Sequence, residues 1–435
     1  MSAQQTPALP AAAHGAGSGA NPEAAVRKAA GEARDQLARH GGGSTDLAMV
    51  FFSAAYVEHA DLLSRIVLET LGPGVLLGVS ADGVISGSTE RERTPAVSVF
   101  AATLPGTELH TFTTDDLPLT PAERDGGTDE SARAMAKAIG AEPKHGGTLF
   151  FSDAFSVPLI RLLPELNNAI GAHGGRRPGP LVGGVASAGE SPGGNALLIN
   201  GTVRRDGGVG ITLRGDTVID AVVSQGCRPV GDNMVVTKAR GNLILQLGGR
   251  PAVEAVQEAV NSLDDGDRGL LKQGLYLGTV VNEYKDRFGR GDYLIRALLA
   301  ADERSGAVAV GDMVRVGQTV RLHLRDAQTA TEDLELLLDA QKLHERPAGG
   351  LLFTCNGRGE RLFSTPNHDA GAVTRAFAPP ERTAATSMGG TPINAPDPSL
   401  PLAGFFAGGE IGPVGPRSYL HGHTASLALF RRRTS

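Results

Sequence analysis

Apolar positions along this chain follow two alternating rhythms, short unbroken runs suited to buried strands and stretches with apolar residues at i, i+3, i+4 and i+7, the helical period. Leu47 to Phe52 is a strand-like run, and Ala60 to Leu71 carries Leu62, Leu63, Ile66, Val67 and Leu71 at helical spacing before Gly72-Pro73-Gly74 stops it. Val75 to Val79 and Ala96 to Phe100 add two strands. The same order returns with Thr148 to Phe151, then Leu159, Leu162, Leu163, Leu166 and Ile170, then Leu181 to Val185 and Ala196 to Ile199. It returns again with Gly350 to Thr354, a short helical stretch from His368 to Phe377, Leu402 to Phe406 and a closing strand from Ser426 to Phe430.

Each copy carries the same pair of short motifs. The first strand ends at a small hydroxyl residue, in Phe51-Phe52-Ser53, Phe150-Phe151-Ser152 and Leu352-Phe353-Thr354. The second leads into Gly-x-x-x-x-Gly followed by one more residue, in Gly78 to Gly83 with Val84, Gly184 to Gly189 with Glu190, and Gly404 to Gly409 with Glu410. Fixed order and spacing of this kind mark one structural unit used repeatedly. The pattern predicts an α/β fold of two domains, with mixed sheets flanked by helices, built from repeated β-α-β-loop-β units.

Other segments differ in texture. Residues 1–22 are Ala, Gly, Pro and Ser with little to pack and are expected to be a disordered leader, with a helix opening at Pro22 and stopping at Gly41-Gly42-Gly43. Val209 to Leu213, Val218 to Val223 and Met234 to Thr237 read as a meander, Val253 to Val260 as a helix, and Leu275 to Val281, Tyr293 to Leu299 and Val320 to Leu324 as more strands. Glu332 to His344 is an amphipathic helix. A stretch over about 378–400, rich in Pro, Thr and Gly, has no period and reads as a mobile loop. A boundary between about Asp206 and Asn242 divides the chain into an N-terminal domain over 23–240 and a C-terminal one over 241–435.

Composition narrows the function. The 435 residues, 41% hydrophobic and 20% charged, suffice for a large folded interior. A formal charge of −6, no Trp and 4% aromatics oppose a nucleic-acid partner, which needs clustered cations and stacking platforms. Two cysteines, Cys227 and Cys355, make no disulfide framework. The N-terminus lacks a charged region followed by an apolar one, and no run approaches a membrane span of about 20 residues, so a cytoplasmic location without membrane attachment is expected.

The glycine loops suggest chemistry by what they lack as well as by what they hold. A phosphate-cradling P-loop needs Lys then Ser or Thr after its second glycine, and here Val84, Glu190 and Glu410 follow, so nucleotide hydrolysis is disfavoured. Glycine-rich turns can present backbone N–H groups to an anion. With Gly184, Gly189 and Gly409 supplying amides for a carboxylate and Glu190 and Glu410 receiving an ammonium, the loops would suit a small zwitterion such as an amino acid. Alternatively, they are tight strand exits whose glutamates face water. Ser53 and Ser152 at strand ends fit loop caps or ligand hydrogen-bond donors better than nucleophiles, since no copy completes Gly-x-Ser-x-Gly.

Cys355-Asn356-Gly357-Arg358-Gly359 reads first as a turn, because Asn-Gly is a strong turn signal. In a functional reading Arg358 is a fork for a carboxylate, with Cys355 and Asn356 beside it. A Cys355-dependent hydrolase or transferase has no base near it in sequence and ranks last. His421 and His423 with the two cysteines lack metal-ligand spacing, so neither a metal nor another cofactor is expected.

Phe51-Phe52-Ser53, Leu77-Gly78 to Gly83, Pro95-Ala-Val-Ser-Val99, Gln225 to Gly231, Phe353-Thr-Cys-Asn-Gly-Arg-Gly359 and Gly404 to Ile411 together resemble the FIST family over about Asp46 to Phe430. The resemblance implies a sensory module for signal transduction that binds a small ligand such as an amino acid, and since the residues themselves offer no catalytic constellation, no enzymatic activity is expected. In eukaryotes such modules are joined to F-box adaptors; none is evident in this sequence, so a separate signalling partner is expected. The first loop departs from the pattern, with Val84 where a glutamate is expected. A protein-interaction scaffold with no small ligand is the rival reading. If the glutamates hold the ligand, Glu190→Gln and Glu410→Gln should both weaken a ligand-induced thermal shift.

Overall fold

A computed structural model describes residues 9–118, 129–379 and 399–434. Residues 1–8 of the expected leader and most of the expected mobile loop lie outside the described residues. The first repeat runs β1 (Ala11–Ser18), α1 (Pro22–Arg39), β2 (Leu47–Ser53), α2 (Ala60–Leu71), β3 (Val75–Ala81), a hairpin of β4 (Gly83–Ser86) and β5 (Thr89–Glu92), and β6 (Ala96–Thr103). The second runs β7 (Thr107–Thr113), α3 (Asp129–Ile139), β8 (His145–Ser152), α4 (Leu159–His173), β9 (Leu181–Val185), a hairpin of β10 (Leu197–Ile199) and β11 (Thr202–Arg204), and β12 (Gly208–Gly215).

The third opens with β13 (Thr217–Gln225) and is then interrupted. The insertion contains β14 (Cys227–Arg240), β15 (Leu243–Leu247), β16 (Arg250–Pro251), α5 (Ala252–Asn261), α6 (Asp265–Leu270), β17 (Leu275–Val280), β18 (Tyr293–Asp302), β19 (Ala307–Val310) and β20 (Thr319–Arg325). The repeat resumes with α7 (Ala327–Gln341), β21 (Gly349–Cys355), α8 (His368–Ala376), β22 (Leu402–Ala407), a hairpin of β23 (Glu410–Val414) and β24 (Arg417–His421), and β25 (Thr424–Arg432).

Three six-stranded sheets share one strand order. They are β1-β6-β2-β3-β10-β11, β7-β12-β8-β9-β23-β24 and β13-β25-β21-β22-β4-β5. In each, the two middle strands of a repeat, β2 and β3, β8 and β9, or β21 and β22, pair in parallel, and the returning strand, β6, β12 or β25, lies antiparallel between that pair and the repeat's opening strand. The hairpin, however, always comes from another repeat. The first repeat's β4 pairs with β22 of the third, β10 of the second pairs with β3 of the first, and β23 of the third pairs with β9 of the second. This cyclic exchange was not expected from the sequence, because the pattern of a strand does not say which sheet it joins.

The register sets which residues correspond. Val50, Phe150 and Leu352 face Gly78, Gly183 and Gly404 across the parallel pairs. Phe51, Phe151 and Phe353 therefore occupy one position, and their rings meet at centroid distances of 6.3, 6.4 and 5.4 Å, all edge to face. Phe405 stacks on Phe51 at 5.4 Å. All four belong to the apolar core shared by the inner faces of the three sheets. Side chains alternate along a strand, so Ala48, Val50 and Phe52 turn outward onto α1 and α2, while Phe150 packs with the apolar side chains of α3 and α4.

Two expectations are corrected. The segment over 11–22 is not a disordered leader, because β1 pairs with β6 over its whole length and α1 begins at Pro22, capped by the Asn21 side chain. Its small residues are there for closeness: a Cβ on Gly15 or Gly17 would stand 2.0 and 1.9 Å from the carbonyl oxygens of Ala29 and Ala25 on α1. The aligned motifs also slip. Ser53 corresponds to Asp153 and Cys355 rather than to Ser152 and Thr354, and Gly183, not Gly184, corresponds to Gly78 and Gly404.

The chain forms two compact units, one of the segments up to Val222, Leu337–Leu420 and from Ala425, the other of Val223–Leu336 with His421–Thr424. The first unit holds the three sheets. In the second, β14-β20-β17-β18-β19-β15 is an antiparallel ring closed by β15 pairing with β14. Val236, Leu277, Val308, Val320 and Leu322 belong to its apolar cluster, and closure leaves no free edge in the ring.

Candidate functional site

In open sheets with parallel neighbours, sites form beyond the carboxyl ends of the strands. At that end of β21 the backbone turns back at once, with the Arg358 N–H donating to the Cys355 carbonyl at 2.7 Å. The turn carries Arg358 into the interior, where it is 0% exposed. Its Nε donates to Asp369 Oδ2 at 2.7 Å and its Nη2 to Oδ1 at 2.9 Å, a bidentate fork. The Thr354 hydroxyl also donates to Oδ2, at 2.8 Å, and the His368 ring lies 2.9 Å from Oδ1. Phe363 stacks on His368 at 3.4 Å and sits 5.2 Å from the guanidinium carbon. Arg358 Nη1 is buried and makes no hydrogen bond among the described residues.

Charge is strongly organised here. Burial disfavours the Arg358 cation, but the charge and hydrogen bonds of Asp369, with the nearby Cys355 and Glu410, outweigh burial and raise its pKa. Burial likewise opposes the Asp369 carboxylate, and Arg358 and His368 overcome it to hold that carboxyl well below the usual range. Glu410, at the start of β23, is 0% exposed.

The exchanged hairpin of the first repeat is fastened beside this cluster. On β5, the Glu90 N–H donates to Asn367 Oδ1 at 2.7 Å, and Glu90 Oε1 accepts the Ala370 N–H at 2.8 Å at the start of α8. Glu92 Oε1 accepts the Glu360 N–H at 2.8 Å, and Arg93 pairs with Glu360 at 3.2 Å. Burial, and then the Asp369 charge, push the Glu90 carboxyl up to about 8. Burial raises Glu92 as well.

Of the residues singled out in the sequence, Cys355, Asn356, Arg358 and Glu410 converge on the third repeat. Asn356 is structural: its N–H donates to the Ala407 carbonyl at 3.0 Å, and its side-chain amide, oriented to satisfy its neighbours, donates to Phe406 O at 2.9 Å. The other candidates lie elsewhere. The Ser53 hydroxyl accepts the Ala96 N–H at 3.0 Å and so caps β6. Ser152 is buried beneath the second repeat's strand end, next to Asp153, which Asn195 Nδ2 binds at 2.9 Å.

Glu190 is an exposed side chain on the loop leading to Asn195. By register the counterpart of Glu410 is Leu197, since these two face Gly184 and Val79 respectively. Of the candidate glycine amides, the Gly189 N–H is taken within the chain, donating to Asn195 Oδ1 at 2.8 Å, and the neighbouring Gly408 N–H donates to the Val185 carbonyl at 3.0 Å. Gly409 accepts the Val185 N–H at 2.9 Å, and a Cβ on Gly184 would stand 3.1 Å from Ala407 Cβ. These loops serve the crossing of the chain between sheets.

Asp369, His368, Glu90 and Glu92 were missed in the sequence. Glu90 and Glu92 sit in Thr89-Glu-Arg-Glu92, whose alternation reads only as a solvated strand. Elsewhere, a surface depression of about 680 Å³ on the second unit is lined by Pro251, Val253, Glu254, Gln257, Glu303 and Arg304 and contains no comparable buried polar cluster. Among the described residues no group of three or more His, Cys, Asp and Glu could hold a metal ion, and no helix is long and apolar enough to cross a membrane.

The family model of the FIST N domain matches residues 46–250 and that of the FIST C domain residues 252–413. An uncharacterised protein of Mycobacterium tuberculosis (strain H37Rv) is 38% identical over 409 residues, covering 93% of this chain and 96% of its own length. One from Mycobacterium bovis is 38% identical over 414 residues, covering 94% of this chain and 95% of its own. FIST domains are associated with sensory functions and signal transduction. With both domain models matched in order across most of its length, the chain belongs to the FIST family.

Proposed function

We propose that this chain is a sensory module that takes a small ligand, an amino acid, at the Arg358 site and relays its binding to a separate signalling partner. The observation that carries the reading is the Arg358 guanidinium, buried and fixed by Asp369 through Nε and Nη2, with Nη1 making no hydrogen bond among the described residues. A fixed guanidinium nitrogen is a ready donor for a carboxylate and loses little entropy on binding. Glu410, whose charge acts on Arg358, supplies the acidic group for an ammonium. The half-buried Cys355 to Gly357 turn is the approach from solvent.

The test is a thermal-shift screen over amino acids with three variants. A ligand present at 100 times its Kd adds about 2.7 kcal/mol to stability. Glu410→Gln should fold and lose that gain, Arg358→Lys should lose it, and Glu190→Gln should keep it. A gain retained in folded Glu410→Gln, or no gain with any amino acid, overturns the reading.

A further inference from the structure

We propose that the β4–β5 hairpin is a strap that closes the Arg358–Asp369 site and lets go when Glu90 gives its proton to water. Two segments carry that ion pair, the turn after β21 and the start of α8, and the hairpin is hydrogen-bonded to both. On the turn, Glu92 Oε1 accepts the Glu360 N–H at 2.8 Å, and a Cβ on Gly359 would stand 2.2 Å from the same oxygen. At the head of α8, the Glu90 N–H donates to Asn367 Oδ1 at 2.7 Å and Glu90 Oε1 accepts the Ala370 N–H at 2.8 Å. Gly359 and Ala370 follow Arg358 and Asp369 directly, so the strap holds the chain neighbour of each member of the pair. Arg358 and Asp369 are 0% and 1% exposed, and reaching either requires one of these segments to move.

Both fastening oxygens belong to carboxyl groups. Glu90 Oε2 is buried and makes no hydrogen bond among the described residues, so an ionised Glu90 would keep one oxygen out of water and unpaired. Asp369 faces it from α8. Burial and then that charge push the Glu90 carboxyl up to about 8, against the Ala370 N–H and the Arg358 cation. Glu92 on the same strand adds negative charge and is itself raised by burial, with Glu360 against it and Arg93 and Arg361 offsetting. His368 is engaged on Asp369 at 2.9 Å, and Glu410 on β23 acts on Arg358. A carboxyl raised in the closed state binds its proton more tightly there, so the strap holds fully below 4.5 and loosens as the pH climbs towards 8.

The second repeat's hairpin is fastened by different chemistry. Asn200 Oδ1 accepts the Leu76 N–H at 2.9 Å, and Arg205, just after β11, donates to the Val57 carbonyl at 3.2 Å. Neither group gives up a proton near neutral pH. The molecule therefore contains its own control, a hairpin of the same place in the repeat without the titrating fastener. As regulation of a ligand site the strap rests on the reading proposed above, whereas its release can be measured with no ligand present.

The test uses the full chain. Hydrogen exchange of amides 84–92 and 197–204, corrected for the intrinsic rate at each pH, is followed by mass spectrometry, and phenylglyoxal modification of Arg358 is timed at pH 8.5. Opening of 84–92 should rise about tenfold from pH 5 to pH 8.5 while 197–204 stays flat. Glu90→Gln, which keeps an acceptor for the Ala370 N–H, should remove that rise and slow Arg358 modification severalfold. The same pH profile for both hairpins of the wild-type chain overturns the proposal, and that comparison decides alone if the variant does not fold. Equal Arg358 modification in folded Glu90→Gln and wild type also overturns it. Release as expected, with no amino-acid response in the thermal screen, would overturn only the ligand reading.

Discussion

Glu90→Gln isolates the hairpin's contribution to stability. The Glu90 carboxyl rises from 4.5 to about 8, first through burial and then through Asp369. A carboxyl raised by folding holds its proton more tightly in the folded state, so its contribution is complete below the unfolded value of 4.5 and is lost as the pH climbs to about 8. The full shift corresponds to at most about 5 kcal/mol at 1.36 kcal/mol per unit. Solvent reaching the partly exposed side chain screens it, leaving about 2 kcal/mol as the expected loss. Glutamine keeps an oxygen for the Ala370 N–H and never ionises. At pH 4 the two proteins should be equally stable, and at pH 8.5 the variant should be the more stable by about 2 kcal/mol. His145 and His323, both pushed by burial down to about 4, act in the opposite direction, losing stability as the pH falls below 6.5, but they are common to both proteins. Native-state hydrogen exchange at amides 83–92 reads the difference locally, without assuming that two compact units unfold together. Parallel pH profiles for the two proteins would refute the linkage.

Asp369→Asn leaves the Arg358 cation buried without its counter-charge and should cost about 3–5 kcal/mol, measured by urea denaturation. Gly15→Ala drives a Cβ to 2.0 Å from the Ala29 carbonyl oxygen and should cost about 2 kcal/mol or more. Gly31→Ala, on α1 itself with nothing within 4 Å of its Cβ, should instead stabilise by about 0.5–1 kcal/mol, and a matching loss would sink the packing argument. Phe353→Ala removes one ring of the central trio and should cost about 3–5 kcal/mol in the same assay.

The repeating order of strand and helix was legible because period 2 and period 3.6 survive in Leu47 to Phe52, Ala60 to Leu71 and their counterparts. Strand β1 was not, since Ala11 to Ser18 contains no large apolar residue, and its fit to α1 depends on what Gly15 and Gly17 lack. The one-residue slip arose because two adjacent phenylalanines, Phe51 and Phe52, give no sign of which one faces the centre. Arg358 and Glu410 could be picked out from their own motifs. Glu90 and Asp369 could not, because the partner that gives Glu90 its meaning, the Ala370 amide, is 280 residues away along the chain.

The exchange of hairpins also has a bearing on biosynthesis. Ile85 leaves its own repeat to lie opposite Gly404, so β4 and β5 have no sheet to join until residues near 404 have been made. The second repeat likewise waits for Ile411 to come opposite Gly183. During translation the chain must hold two finished sheets' worth of apolar surface with unpaired edges, a state open to wrong pairing. A ribosome paused between the regions matched by the two FIST domain models would display a nascent chain that has its Phe51 and Phe151 but not the third ring that closes around them.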